Sequence, residues 1–255
     1  MQESLAERPY PPSDGSGWAI ERPARRPARL SVMVVDVLVD RIVSGAYPAD
    51  GVLPTEPVLC QLFEVSRSVI REALTVLEEK GLARIRQGQG TTVTTPDEWN
   101  ILDSIVLDAM IRVDDSTKFL DELVDVRVAL ESDMAKTASQ TMRPEDLAQL
   151  EALLAELRGR VGDAASYQDM DVRYHDFIMR CSGNRLGRSV IRTIHPHARA
   201  STRYNPPADD EDIRQAHAGH VAVYERLLAG DGEGAAAVMQ EHIRGAWNLR
   251  KLKRP

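Results

Sequence analysis

Four side chains in the C-terminal half of the chain are of the types that bind a divalent metal ion. Asp171 and His175 are four residues apart, so a helix would carry both on one face. His220 and His242 lie in two later segments, and apolar residues flank all four positions, which favours their placement toward a helical core. Such a set of ligands suits zinc best, with nickel, manganese and iron as alternatives. These residues predict a metal site built between facing helices.

The other histidines of this region are weaker candidates. A lone histidine on a helix is more often a surface residue or a satisfied core residue than a ligand. His217 lies one turn before His220 and is the alternative ligand, but His220 is preferred because it directly precedes the apolar part of its helix. His195 and His197 are expected to be cavity or surface residues.

A second group of residues, nearer the N-terminus, has the types needed to bind DNA. Arg67 and Arg71 fall in the first turn and a half of a predicted helix, with Ser66 and Ser68 beside them. Arginine can donate two hydrogen bonds to guanine, and hydroxyl groups at a helix N-terminus suit phosphate oxygens. A glycine-rich turn at residues 88–90 would let the backbone approach DNA closely. The alternative is that both arginines face solvent and pair with neighbouring glutamates.

The overall composition is that of a globular protein without basic character. The chain has 255 residues and a formal net charge of -7, so the DNA prediction depends on where the arginines lie and not on net charge. Its two cysteines are far apart and predict neither a disulfide framework nor a thiolate metal site. No apolar run is long enough for a membrane span or a signal peptide. We therefore expect a cytoplasmic protein that does not bind membranes.

The elements that must position the arginines form a predicted winged helix-turn-helix. Apolar residues at helical spacing, together with capping and stop signals, predict three helices, and a glycine-rich turn between two short runs predicts a hairpin wing. The helices are expected at Leu30–Ser44, 55–63 and 66–80, and the strands at 83–86 and 91–94. This order is typical of a domain that places one helix in the DNA major groove.

The remaining chain, from residue 97 onward, is predicted to be helical throughout. The predicted helices lie near 97–111, 117–140, 144–159, 163–181, 185–203, 210–229 and 232–250. About seven helices with short connections predict an antiparallel bundle, so the fold class is mainly α. We expect a disordered tail at 1–28, the DNA-binding domain at 29–96 and the helical domain at 97–255. The tail contains four arginines that could touch phosphates, although a solvated tail is the simpler expectation: Arg22, Arg25, Arg26 and Arg29.

The N-terminal motifs resemble those of the GntR superfamily of bacterial transcription regulators. The resemblance covers residues 30–95 and rests on LPTE at 53–56, VSRSVIREAL at 65–74 and LEEKGLARIRQGQGTTV at 77–93. It implies that Arg67 and Arg71 contact bases or phosphates and that Ser66 and Ser68 contact the DNA backbone. It also implies that the wing residues Gln87 and Gly88 lie at the minor groove. Pro57 departs from the pattern, because relatives often have a polar or basic residue there that adds a DNA contact.

The C-terminal motifs resemble the FCD effector-binding domain of the FadR branch of this superfamily. They are WNILD at 99–103, DVR at 125–127, Glu131, the Asp-x-x-x-His motif at 171–175, SGN at 182–184, His220 and His242. The resemblance implies that Asp171, His175, His220 and His242 bind the metal and that Arg127 binds the effector. On position alone, Arg127 would instead form a salt bridge with Asp125 or Glu131. Asn184, Arg199 and Arg203 are weaker candidates for effector contacts.

These features predict a homodimeric regulator of transcription that binds operator DNA. The expected effector is a small carboxylate, a sugar acid or hydroxy acid, that releases a repressor from DNA by binding at the metal site. Dimer symmetry would match an inverted repeat in the operator. One alternative is a regulator for which the metal itself is the signal. Another is a metal-dependent hydrolase or lyase with a DNA-binding head, which is disfavoured because no further general base or nucleophile is evident.

Overall fold

The computed structural model describes residues 25–201, 204 and 209–252, with side chains from Leu30 onward. Within these residues the chain forms ten α-helices and one hairpin. The elements are α1 (Arg25–Val43), α2 (Glu56–Phe63), α3 (Arg67–Glu79), β1 (Ala83–Arg86), β2 (Gly90–Val93), α4 (Ser104–Val113), α5 (Lys118–Thr141), α6 (Pro144–Arg158), α7 (Ala164–Cys181), α8 (Arg185–Ala200), α9 (Asp210–Leu228) and α10 (Gly232–Leu252). The predicted fold, mainly α with a small β-hairpin and seven later helices, is confirmed.

Three helices and the hairpin form the N-terminal domain. Helix α3 is amphipathic and buries an apolar stripe at helical spacing: Val69, Ile70, Ala73, Leu74 and Leu77. This stripe packs against α1, whose buried face is formed by Val34, Val35, Leu38, Val39 and Ile42. Packing on one side of α3 leaves its opposite side, with both arginines, in solvent.

One helix start and one helix end in the N-terminal domain need comment. Helix α1 begins at Arg25, five residues before the predicted start, and the side chains of Arg22, Arg25, Arg26 and Arg29 lie outside the described part of the structure. After α3, Gly81 adopts a φ of +74°. A Cβ atom at Gly81 would lie 2.2 Å from the carbonyl oxygen of Glu98, so both the turn and the close approach of this segment require glycine.

The wing is an antiparallel hairpin with a glycine-dependent tip. Strands β1 and β2 pair with Ala83 opposite Val93 and Arg86 opposite Gly90. Gly88 and Gly90 have φ values of +77° and +90°, which a side chain would disfavour. The tip is exposed, so the hairpin extends from the domain as the sequence predicts.

The C-terminal helices pack as a bundle around one apolar core. Helix α10 packs against α5 and α9, α6 packs against α7 and α9, and α5 also contacts α7 and α8. None of the described helices combines the length and hydropathy that crossing a bilayer requires. Two predicted boundaries differ: the helix expected near 97–111 starts at Ser104, because the Asp103 carboxylate accepts hydrogen bonds from Ile105 N and Val106 N, and α8 ends at Ala200.

Helix α4 belongs to the cores of both domains. Val106 and Ala109 are buried in the N-terminal core, whereas Leu107 and Ile111 are buried in the bundle core. The same helix contacts α1 on one side and α8 on the other. Helix α4 is therefore a direct mechanical connection between the DNA-binding domain and the bundle.

Candidate metal centre and DNA-binding surface

The four residues singled out as metal ligands lie together in the bundle. Asp171 and His175 are on α7, His220 is on α9 and His242 is on α10. One possible ligand atom from each of them lies within 4.8 Å of the other three. We call these four residues the histidine cluster. Among the described residues, the structure places His220 and not His217 in this cluster.

Distances within the histidine cluster match those of ligands around a single ion. His175 Nε2 lies 3.3 Å from His242 Nε2 and 3.3 Å from His220 Nε2. Asp171 Oδ1 lies 3.1 Å from His220 Nε2 and 4.0 Å from His175 Nε2. Ligands bound at about 2.0–2.1 Å around one ion are roughly 3 to 4 Å apart, according to whether the ion has four or six ligands, so these spacings suit one ion between the four atoms.

A carboxylate outside the cluster orients His175. Its Nδ1 atom donates to Oε2 of Glu131 at 2.6 Å, which leaves Nε2 with a lone pair directed at the other imidazoles. Glu131 accepts a second hydrogen bond from Arg127 Nε at 2.7 Å. Burial alone would raise the pKa of Glu131, but Arg127 and His175 hold it well below its usual value. This buried, ionised carboxylate is therefore available to fix the tautomer that a metal ligand needs.

Two tyrosines hold His220 in place from the opposite side. The hydroxyl of Tyr167 lies 3.1 Å from His220 Nδ1, and the hydroxyl of Tyr174 donates to the backbone oxygen of His220 at 2.8 Å. Burial raises the pKa of both tyrosines, so both hydroxyls stay protonated at neutral pH. Contacts of this kind leave His220 Nε2 pointing into the cluster.

Protonation states in the cluster suit a cation. Burial lowers the pKa of His242 well below the usual imidazole value, and His220 and His175 lower it further. Burial also lowers the pKa of His220, although Asp171 opposes that shift. For Asp171, burial alone would raise the pKa, but its hydrogen bond with His220 and the nearby imidazoles lower it well below the usual carboxyl value. Neutral imidazoles with an ionised carboxylate are the forms that bind a metal.

A glycine makes room for the fourth ligand. Gly219 precedes His220 on α9, and a Cβ atom there would lie 2.3 Å from Nδ1 of His242. No real side chain tolerates that separation, so the ring of His242 occupies space that exists only because residue 219 lacks a Cβ atom. Glycine is less favourable than alanine inside a helix, so helix propensity does not explain the residue at position 219. The close packing of α9 against α10 does.

Two cavities border the histidine cluster. The first, of about 390 Å³, lies among α7, α9 and α10 and reaches Asp171 and His242; we call it the α9/α10 cavity. The second, of about 350 Å³, lies between α7 and α8 and reaches His175 and Glu131; we call it the α7/α8 cavity. Its other charged or titratable lining residues are Arg173, Asp176, Arg192, His195 and Arg199. Both volumes are in the range of pockets that hold small molecules.

The two residues singled out for effector contact have different surroundings. Arg127 is buried and forms a salt bridge with Glu131, one of the two partners that its position suggested. A second contact joins its Nη1 to the hydroxyl of Tyr204 at 2.7 Å. Asn184 caps α8 by accepting a hydrogen bond from Gly187 N, and it lines neither of the two cavities. This hydrogen bond uses one acceptor site of Asn184, and the effector contact predicted for Asn184 stays a prediction.

The remaining candidates also have defined places. His195 lines the α7/α8 cavity, as expected, and burial together with Arg127 lowers its pKa well below the usual value. His197 makes a 2.6 Å contact with Asp108 of α4. Arg199 lines the same cavity and pairs with Asp169, and Arg203 lies outside the described residues.

Several residues of the site escaped sequence reasoning. Tyr167 is four residues before Asp171, so the spacing of 167, 171 and 175 along one helical face was an available signal. Gly219 and Tyr204 gave no comparable signal. Their roles depend on which helix or ring packs against them, and only the tertiary structure supplies that information.

The predicted DNA-reading residues lie on one exposed surface. Ser66 occupies the N-cap position of α3 without a capping hydrogen bond, and its hydroxyl instead lies 2.9 Å from that of Ser68. Arg67 is exposed. Arg71 is 68% exposed in its side chain and pairs with Glu56 of α2, not with a glutamate of its own helix. An exposed ion pair of this kind contributes little, so the guanidinium is free to change partner.

The wing contributes the rest of this surface. Gln87 and Gly88 lie in the exposed turn between β1 and β2. A Cβ atom at Gly88 would meet nothing within 4 Å, so its backbone angle and not crowding accounts for glycine at this position. The hairpin and the N-terminus of α3 together form the two-part surface that is typical of a winged helix-turn-helix.

Comparison with known proteins agrees with this architecture. Residues 30–93 match the family of bacterial regulatory proteins, gntR family, and residues 122–245 match the FCD domain. The chain therefore carries a DNA-binding domain of the GntR family followed by an FCD domain. The matched families and relatives are transcription regulators and not enzymes, which is the class predicted from the sequence.

Relatives of known role match along most of their length. The chain is 28% identical over 220 residues to the galactonate operon transcriptional repressor of Escherichia coli (strain K12), covering 86% of this chain and 95% of that protein. It is 28% identical over 225 residues to a putative L-lactate dehydrogenase operon regulatory protein of the same organism, covering 85% and 84%. The solved structure of Lar, which controls the expression of the Listeria monocytogenes agr system and mediates virulence, shares the fold with a TM-score of 0.56, 19% identity and coverage of 88% and 98%.

Proposed function

We propose that this protein is a repressor whose affinity for operator DNA is controlled by a small carboxylate bound at the metal centre. The histidine cluster is the observation that carries the proposal, because its four ligand atoms converge beside two cavities. Four protein ligands leave open positions on a six-coordinate ion, and a carboxylate with a neighbouring hydroxyl group can fill two of them. Zinc fits the ligand set best, and nickel, manganese and iron are alternatives.

The chemistry of the cavities favours an oxygen-rich acid as the effector. The α9/α10 cavity combines apolar walls with polar groups such as Gln168, Gln215 and Arg250. Such groups suit the hydroxyls of a sugar acid or hydroxy acid, and Arg127 has the fork geometry that matches a carboxylate. The names of two relatives, regulators of galactonate and L-lactate dehydrogenase operons, support the same class of compound.

The DNA-binding half of the proposal uses the exposed surface of α3 and the wing. Arg67 and Arg71 would contact bases, Ser66 and Ser68 would contact phosphates, and Gln87 with Gly88 would lie at the minor groove. We infer a homodimer that binds an inverted repeat, because two copies of one recognition helix match a two-fold symmetric operator.

The path between the two halves is helix α4. Because α4 is buried in both cores, a shift of α4 relative to the bundle also moves the DNA-binding domain. Asp108 of α4 contacts His197 of α8, and His195 on the same helix lines the α7/α8 cavity. An effector that binds one arrangement of α8 more tightly would thereby bias the position of the DNA-binding domain.

A ligand screen followed by an operator assay tests the proposal. Zinc-loaded protein would be heated with D-galactonate, L-lactate and related acids, and an acid present at about 100 times its dissociation constant should stabilise the fold by about 2.7 kcal/mol. The same acid should release operator DNA selected from random sequences, and Asp171→Ala should abolish both effects. Operator binding that responds to zinc but to no organic acid would instead indicate a metal sensor.

Substitution of the arginines tests the DNA-binding surface separately. Arg67→Ala and Arg71→Ala should each weaken operator binding about 5- to 150-fold, the range for loss of one bidentate base contact. Both variants should keep the thermal response to the effector, since the bundle is untouched. Arg158→Ala, on the exposed side of α6, is the matched control and should bind DNA normally. Unchanged affinity in both α3 variants would contradict the assignment.

A further inference from the structure

A buried tyrosine that was not predicted from the sequence contacts Arg127, the residue predicted to bind the effector. Tyr204 lies between α8 and α9 and is 1% exposed. Its ring stacks on Trp247 with centroids 5.2 Å apart and meets the edge of His195 at 6.1 Å. The guanidinium of Arg250 lies over the ring, 5.3 Å from its centroid. These contacts fix the phenol inside the bundle.

Two neighbours of Tyr204 line the two cavities. Arg250, on one side of its ring, lines the α9/α10 cavity, and His195, on another side, lines the α7/α8 cavity. Its hydroxyl accepts a hydrogen bond from Arg127 Nη1 at 2.7 Å. Tyr204 therefore occupies one hydrogen-bonding position of Arg127 and contacts one lining residue of each cavity.

The direct partners of Arg127 are of two kinds. Among the described residues, the carboxylate that pairs with Arg127 is that of Glu131, which also accepts the Nδ1 hydrogen of His175, and Asp171 adds a further negative charge nearby. The other contact is with a neutral phenol, and in the described part of the chain no acceptor receives the hydroxyl hydrogen of Tyr204. A hydrogen bond from a guanidinium to a carboxylate is roughly twice as strong as one between neutral groups. An entering carboxylate would therefore form a better partner for Arg127 than the phenol does.

We propose that Tyr204 is a specificity-determining residue, whose hydroxyl occupies the position on Arg127 that the effector carboxylate takes. This inference rests on the proposed function and names how the site selects its ligand. A neutral hydroxyl is no stronger a partner for Arg127 than the phenol is, so sugars and alcohols without a carboxylate gain nothing by displacing it, although they could bind a metal.

Removal of the hydroxyl tests the proposal in the full-length, zinc-loaded protein. Acetate is the probe, because it carries a carboxylate and no other polar group, and its dissociation constant would be measured by calorimetric titration. In Tyr204→Phe, acetate no longer has to displace a hydroxyl group from Arg127. The variant should therefore bind acetate about 10- to 100-fold more tightly than the unmodified protein does, which is the range for one hydrogen bond to a charged group. Tyr224→Phe, a tyrosine on the outer part of α9, is the control and should leave acetate affinity unchanged.

A second pair of variants shows where the gain arises. Adding Arg127→Lys to Tyr204→Phe keeps the positive charge beside Glu131 but removes the guanidinium fork, and the gain in acetate affinity should disappear. Should the phenylalanine variant not fold, Tyr204→Leu fills much of the same space without an oxygen and should show the same gain.

Three results would overturn the inference. The first is that Tyr204→Phe binds acetate with equal or lower affinity than the unmodified protein, and the second is that it binds no acetate. The third is that the gain in acetate affinity persists when Arg127→Lys is added. Release of operator DNA, measured in parallel, keeps the two proposals apart. If loss of the Tyr204 hydroxyl changes acetate affinity but no acid releases operator DNA, only the proposed function is refuted. If acids release operator DNA but loss of the hydroxyl leaves acetate affinity unchanged, only this inference is refuted.

Discussion

Replacement of Gly219 by alanine should remove His242 from the histidine cluster without unfolding the bundle. The added Cβ atom would lie 2.3 Å from His242 Nδ1, whereas ordinary contact begins at 3.4 Å. The ring must therefore move by about 1.1 Å, the difference between these two distances. Metal–ligand distances tolerate deviations of only about 0.2 Å, so His242 would stop binding the metal.

The expected magnitude follows from the loss of one ligand. Loss of a supporting contact to a metal ligand already weakens binding about 10- to 100-fold, so loss of a ligand should weaken it by at least about 100-fold. At a fixed zinc concentration well above the dissociation constant, a 100-fold loss removes about 2.7 kcal/mol of metal-dependent stabilisation. The metal-free variant should lose at most about 2 kcal/mol, because displacing the ring costs about 1–3 kcal/mol and alanine favours a helix over glycine by about 1 kcal/mol.

Two measurements and one matched control make this prediction specific. Competition with a chromophoric chelator gives the zinc affinity, and thermal unfolding with and without zinc gives the metal-dependent stability. Gly245→Ala is the control, because Gly245 is also a helical glycine lining the α9/α10 cavity but a Cβ atom there meets nothing within 4 Å. It should bind zinc normally. Normal zinc binding by the Gly219 variant would refute the placement of His242 as a ligand.

Two further predictions concern pH and coupling between the domains. Because burial lowers the pKa of His195 below 6.5, the unfolded chain takes up its proton first, and stability should fall as the pH drops below 6.5. In metal-free protein, His195→Gln should reduce this slope by up to about 1.4 kcal/mol per pH unit in urea unfolding, and an unchanged slope would argue against a neutral buried His195. Asp108→Asn removes the charge that pairs with His197 and should reduce effector-induced operator release about 2- to 30-fold, measured by fluorescence anisotropy. Glu233→Gln, which removes an exposed ion pair with Lys136, is the control and should leave the release unchanged.

Helix periodicity explains why much of the fold was predictable. The apolar stripe of α3 and the glycine after it give a helix with one buried face and one exposed face, and that pattern places Arg67 and Arg71 in solvent before any contact is known. Boundaries were less predictable: the start of α4 depends on Asp103, whose carboxylate competes with several other polar residues of the same segment for the capping role.

Local spacing also determined part of the candidate site. Asp171 and His175 share a helical face because of the 3.6-residue period, wherever that helix packs. The convergence of His220 and His242 on the same point depends on how α7, α9 and α10 pack, and no local pattern contains that information. Asn184 illustrates the limit, because a polar residue at a helix start is satisfied by capping as readily as by a ligand.

The sequence by itself determined the class of protein, the helical domain and the residue types able to bind DNA and metal, because these depend on periodicity, turn chemistry and motifs within short segments. Only the tertiary structure decided that Glu131 links Arg127 to His175, that Gly219 admits the ring of His242 and that Tyr204 occupies the guanidinium of Arg127. Apart from the Arg127–Glu131 pair within α5, these contacts join residues from different helices or separate loops. Their geometry is set by close packing of the whole bundle, in which a single Cβ atom or hydroxyl group changes what the site can hold.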